Sequence, residues 1–183
     1  MDEPLLLQKG LKHLSKNKEI TIKTNVIIFK NNRFKLESPF ILPFSNARFN
    51  LFYLNNYTST EDVVPILLLA DTKTFTVELF CVNKLKFCQT GKNLQKFIKR
   101  KFGNAWKLSI VKPIIRQKKI NEPLIKKKLK PTVKNLLWTF LYIDLKLFNP
   151  EFKTSILLEY LENNIEKRDL ESILKKYYEK ITF

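Results

Sequence analysis

The spacing of apolar residues changes along this chain, and that change limits what the chain can fold into. Between Glu19 and Ile110 the apolar residues recur mainly at every second position, and after Pro131 at every third or fourth. Period two marks half-buried strands, and a period near 3.6 marks helices packed on one face. Ile20, Ile22, Val26 and Ile28 alternate with Thr21, Lys23 and Asn25, and Asn31-Asn32 is suited to a two-residue hairpin into Arg33–Glu37. Arg48–Leu54 alternates again. Val63–Ala70 is a continuous apolar run of the length of a central strand, although Pro65 favours an edge or a strand start. Phe75, Val77, Leu79 and Cys81 alternate with Thr74, Thr76 and Glu78, and Trp106, Leu108 and Ile110 with Lys107 and Ser109.

Helical spacing appears in five places. Leu7, Leu11 and Leu14 share a face over Pro4–Lys16, with Asp2 or Glu3 as cap. Leu94, Phe97, Ile98 and Phe102 form a stripe over Asn93–Phe102, and Gly103 offers a left-handed cap. Past Pro131 a strongly apolar helix carries Val133, Leu136, Leu137, Phe140, Leu141 and Phe148. Asn149-Pro150 then predicts the start of a second helix, with Phe152, Ile156, Leu157, Tyr160 and Leu161 as its buried stripe. A third carries Leu170, Ile173, Leu174, Tyr177 and Ile181. The expected fold is α+β, a mostly antiparallel sheet of about six to seven strands with one amphipathic basic helix, followed by a C-terminal three-helix unit. The expected divisions are an α+β domain over 1–112, a basic connector over 113–131 and a helical unit over 132–183, which can pack as one globule.

Charge follows its own division. The net charge is +17, and Lys outnumbers Arg by 29 to 5 beside 16 Asn. An A/T-rich coding sequence favours that usage without selection for charge, so the total says little. Position says more. Residues 1–83 hold ten basic and eight acidic side chains, and residues 135–183 hold seven and eight. Residues 84–134 hold seventeen basic and one acidic, Glu122. Coding bias has no reason to remove acids from one third of a chain.

The chemistry of a reaction centre is missing from the pattern. His13 is the sole histidine and lies among lysines, which suits a solvent-facing position. Cys81 and Cys88 have no second Cys or His pair to complete a zinc site, and burial is the expected role. Gly91-Lys92 lacks the upstream glycine and the following Ser or Thr of a phosphate-binding loop, since Lys86 and Asn93 occupy those places. Glu61, Asp62 and Asp71 flank the Val63 strand at loop positions, and turn polarity accounts for them. Three glycines leave little room for nucleotide-cofactor loops. No enzyme, cofactor, metal or small-molecule substrate is expected. No apolar run approaches the roughly 18 to 20 residues of a membrane helix. The acidic start and too-short apolar stretch do not resemble a targeting peptide, and the cysteine usage fits a reducing compartment.

The basic window therefore carries the functional expectation. The helix presents Lys92, Lys96, Lys99 and Arg100 outside its apolar stripe, with Lys101 at the margin and Lys107 and Lys112 following. The connector adds Arg116, Lys118, Lys119, Lys126, Lys127, Lys128 and Lys130. Lysine-dominated cation surfaces suit phosphate backbone over base edges. Lys127-Lys128-Leu129-Lys130 also resembles the short basic motifs read by nuclear import receptors. The leading expectation is a non-enzymatic, nucleic-acid-associated subunit of a larger complex, contacting DNA or RNA through 92–130. The nucleus is its expected site, with the chromosome one setting and the cytoplasm the alternative. The second expectation is an assembly adaptor. Its helical unit would dock a protein partner through Leu136, Trp138, Phe140, Leu141, Tyr160 and Tyr177, while the lysines meet an acidic protein surface. Phe49, Phe52, Tyr53, Phe75 and Phe80 are of the type that stacks bases on an exposed sheet, but their alternation predicts core.

Overall fold

Alternation and helical spacing resolve into six strands and five helices in the computed structural model, which describes residues 3–30, 33–36, 46–56, 66–80, 87–111, 131–164 and 170–182. The chain divides into two units, Leu11–Lys112 and Met1–Gly10 with Pro113–Phe183, and the division falls within the first helix, α1 (Glu3–Leu14).

Leu11–Lys112 holds the sheet. Its strands are β1 (Ile20–Lys30), β2 (Arg33–Leu36), β3 (Phe49–Asn56), β4 (Ile66–Asp71), β5 (Thr76–Phe80) and β6 (Lys107–Val111), in the order β2-β1-β3-β4-β5-β6. Helix α2 (Phe87–Phe102) connects β5 to β6. β1–β2, β3–β4 and β4–β5 pair antiparallel, whereas β1–β3 and β5–β6 pair parallel. The sheet is thus mixed, and the expectation of a mostly antiparallel one is corrected. Turn signals report only sequential neighbours, and a short turn can join strands only antiparallel. A helical crossover returns the chain to the end it left, so β6 must run parallel to β5. The parallel β1–β3 pair joins strands that β2 separates in sequence, with a register shift between Ile22 and Val26.

Both faces of the central strands are buried. Phe52, Leu68, Ala70, Val77 and Leu79 meet Leu94, Phe97 and Ile98 of α2 together with Trp106, and Phe102 and Leu108 pack against this cluster. By alternation Phe49, Leu51, Leu67, Leu69 and Phe80 lie on the opposite face, and they are buried too. Two-sided burial explains why β4 reads as an uninterrupted apolar run. Pro65 lies outside the described residues. Helix α2 also lies against β2 as well as β6, the two edge strands, so the sheet curves round the helix.

The end of β4 is fixed to the start of β3 by a two-pronged ion pair. Arg48 Nε donates to Asp71 Oδ1 at 3.1 Å and Nη2 to Oδ2 at 3.1 Å, and the guanidinium sits 5.0 Å from the Phe49 ring centre. Asp71 Oδ1 also accepts the Lys73 amide at 2.9 Å, which shapes the turn that follows. Turn polarity is the role expected of Asp71, and its carboxylate is spent on Arg48.

The second unit contains the helices α3 (Pro131–Phe148), α4 (Thr154–Asn164) and α5 (Leu170–Thr182). In α1 the buried row is Leu6, Gly10 and Leu14, while Leu7 and Leu11 are half-buried. Gly10 belongs to the row because a Cβ there would run into the buried Phe140 ring of α3. Sequence periodicity misses it, since glycine does not register as apolar. Lys9 Nζ ties α1 to α5 through the Thr182 carbonyl at 2.9 Å. His13, expected to face solvent, is half-buried.

The α3–α4 turn departs from expectation. Asn149 Nδ2 donates to the Leu145 carbonyl at 3.0 Å, so Asn149 caps the end of α3, and α4 begins only at Thr154. Lys146 Nζ donates to the Phe152 carbonyl and braces the same turn. With the start shifted, Leu157 and Leu161 are buried, while Phe152, Ile156 and Tyr160 are exposed. Among the described residues no helix is long and apolar enough to cross a membrane.

A buried polar contact joins α3 to α5. Tyr177 Oη donates to Asp144 Oδ2 at 2.7 Å, and Lys180 Nζ stands 3.7 Å from the same oxygen. Burial, with the Asp144 charge and hydrogen bond adding to it, pushes the Tyr177 hydroxyl far above its ordinary 10.0. A raised tyrosine pKa means that its contribution to stability is intact below pH 10.0 and is lost as pH rises beyond it, where only the unfolded chain ionises. Tyr177→Phe should lower stability at neutral pH by about 1–3 kcal/mol, because the buried hydrogen bond to the Asp144 carboxylate is lost. Urea melts at pH 7 and pH 11 should show that the gap between wild type and variant narrows at the higher pH.

Candidate nucleic-acid interface

Helix α2 begins six residues before Asn93, at Phe87, so Gly91-Lys92 lies within a helix whose amides serve helical bonds, unlike a phosphate-binding loop. At 100° per residue, Leu94, Phe97 and Ile98 point to the sheet, and Lys92, Lys96, Lys99 and Arg100 fall on the opposite side within an arc of roughly 100°. All four are exposed. From Lys92 to Arg100 the row is about 12 Å long, the rise of three to four nucleotides along one strand. Among the described residues no carboxylate forms an ion pair with any of the four.

The helix is held so that this row cannot roll. Gln95 Oε1 accepts the Leu108 amide at 2.6 Å, and its Nε2 donates to the Trp106 carbonyl at 3.3 Å. These bonds occupy the open side of edge strand β6 and fix the rotation of α2 about its axis. Lys99, Arg100 and Lys101 lie in the last turn, where cations offset the helix dipole. Gly103 then takes a φ of 123°, its amide donating to the Lys99 carbonyl at 3.0 Å, and releases the chain towards β6.

The remaining basic residues do not all join this row. Lys101 is exposed too, but at 100° per residue it lies roughly 100° beyond Arg100, outside the arc and on the side of the apolar stripe. Lys107 is exposed as well, but it pairs with Thr76 and alternates with Leu108, which packs with α2, so its side chain leaves the other face of the sheet. Lys112, Arg116, Lys118, Lys119, Lys126, Lys127, Lys128 and Lys130 lie outside the described residues, as do Cys81, Glu61 and Asp62, and nothing of the Cys88 side chain is described. Among the described residues no three His, Cys, Asp or Glu side chains converge as metal ligands. In the helical unit Leu136, Trp138, Phe140 and Tyr177 are buried, Leu141 is half-buried and Tyr160 is exposed.

Two features escape the sequence pattern. Phe148, Phe152, Ile156 and Tyr160, spaced by four, are 75%, 52%, 48% and 57% exposed. Phe75, read as the first core residue of a strand, instead closes the turn before β5 with a φ of 53° and is 48% exposed. Its ring meets Trp106 edge-on, centres 5.6 Å apart at 87°; Trp106 meets Phe102 at 5.4 Å, and Phe102 meets Phe52 at 5.6 Å. Alternation cannot show a left-handed residue, and a bulky side chain is a poor choice for one.

No protein-family model matches the chain, and no curated protein matches it.

The backbone at Phe75 carries strain of about 1–2 kcal/mol, and its ring contact with Trp106 is worth about 0.5–1.5 kcal/mol. Phe75→Gly, which removes both, should change stability by no more than about 1 kcal/mol, whereas Phe97→Ala in the core should cost about 3–5 kcal/mol. Thermal melts of the two variants check this contrast.

Proposed function

We propose that this chain is a non-enzymatic, nucleic-acid-associated subunit of a larger nuclear complex, contacting the phosphate backbone through α2 and the basic segment that follows β6. The observation that carries this reading is the exposed row Lys92, Lys96, Lys99 and Arg100, set on a helix whose opposite side is fixed in a core. A rigid cationic row of this kind meets phosphates without first being ordered, and lysine acts there as a point charge with little base preference. The acid-free window 84–121 keeps local carboxylates from competing. The lysines of 112–130 extend the same field, and Lys127-Lys128-Leu129-Lys130 supports the nuclear setting.

A second reading, a protein-assembly adaptor, is favoured by Phe148, Phe152, Ile156 and Tyr160, large apolar residues left exposed from the end of α3 into α4. Large exposed apolar side chains mark docking sites where they gather. The site in that reading is this set, with Tyr160 the one residue it shares with the sequence expectation.

Binding of a labelled oligonucleotide at several salt concentrations tests the first reading. With about six phosphates neutralised, the log–log salt slope on duplex DNA should be about −5, and Lys96→Glu, Lys99→Glu and Arg100→Glu together should reduce its size by about 3. A slope near zero, or a triple variant that binds as wild type does, contradicts the reading. Loss of a native complex on Ile156→Asp and Tyr160→Asp, with nucleic-acid binding never present, supports the adaptor instead.

A further inference from the structure

We infer that Phe75 is a stacking platform for an unpaired base, so that the polyanion suited to the basic face of Leu11–Lys112 is single-stranded nucleic acid. The inference rests on the reading of α2 as a phosphate-contacting surface. Among the residues of Leu11–Lys112 whose burial is described, Phe75 is the one exposed aromatic; Phe49, Phe52, Phe80, Phe97 and Trp106 are buried and Phe102 is half-buried.

The ring is held in place from beneath. The Phe75 carbonyl accepts the Lys107 amide at 2.9 Å, and the hydroxyls of its sequence neighbours Thr74 and Thr76 hydrogen-bond to each other at 2.7 Å. The series Phe75–Trp106–Phe102–Phe52 runs from the exposed ring into the core, so the ring is braced by packed aromatics. An aromatic ordered in advance loses little freedom when a base lies on it. A non-glycine residue held in the left-handed region is itself a pointer to function.

Charge around the ring has the sign a nucleic acid requires. Lys73 is exposed in the turn that carries the ring, and the exposed Lys101 directly precedes Phe102, a member of the same aromatic series. The nearby acids are withdrawn from solvent, Asp71 against Arg48 and Glu78 within β5. A duplex keeps its bases stacked on one another and offers none to a single protruding ring. A single strand exposes base faces while its backbone follows the cations, and stacking of this kind is indifferent to sequence.

The test uses the full chain, a fluorescent oligothymidylate and a duplex of equal length, read by anisotropy, with a polyglutamate competitor. Wild type should favour the single strand. Phe75→Gly should weaken single-strand binding roughly tenfold and leave duplex binding unchanged, and Phe75→Tyr should restore it. Circular dichroism melts confirm that each variant is folded. Equal single-strand binding by wild type and Phe75→Gly overturns the stacking role while leaving the phosphate surface standing, as does equal weakening on both oligonucleotides. Failure of wild type to bind either oligonucleotide, or displacement by polyglutamate as effective as by the oligonucleotide itself, overturns both.

Discussion

Everything proposed for this chain depends on how α2 seats its apolar stripe. Leu94, Phe97 and Ile98 enter a core made by Phe52, Leu68, Ala70, Val77 and Leu79. Burying such side chains contributes about 1.5–3 kcal/mol each. That energy sets which side of the helix faces inward, and the lysines are left on the other by geometry alone. Gln95 then fixes the rotation by bonding to the backbone on either side of Lys107. The cation row is thus a consequence of core formation, and it is rigid because the core is.

The same helix settles the sheet. As the crossover between β5 and β6 it makes their pairing parallel, and its contacts with both edge strands curve the sheet round it. At its far end the chain turns at Gly103, and Trp106 drops back into the core beside Phe102. Phe75 rests on that tryptophan. The exposed ring and the cation row are therefore two outcomes of one arrangement on the same unit, one aromatic and one electrostatic.

Much of this was legible in the residues. Period-two runs mark several strands, the continuous apolar run marks β4 because both its faces are buried, and the stripe of α2 is written in Leu94, Phe97 and Ile98. What escaped did so for physical reasons. Parallel pairing depends on which strands meet after a crossover, and no local signal encodes that. Gly10 is a core residue through what it lacks, and Asn149 serves one helix end as readily as another. Phe75 takes a conformation that its side chain disfavours, so propensity argued against the observed turn. Lys107 stands within the basic window yet leaves the far face of the sheet, because a strand sends neighbours to opposite sides.

The central claim is that phosphate contact centres on the outer face of α2, extended by the basic segment after β6, and is not spread over every exposed lysine of the chain. Lysine footprinting by mass spectrometry, with and without a bound oligonucleotide, measures this residue by residue. The account predicts strong protection of Lys92, Lys96 and Lys99, while the equally exposed Lys175 and Lys176 of α5 remain reactive. Uniform weak protection of all exposed lysines, or protection centred on Lys175 and Lys176, would contradict it.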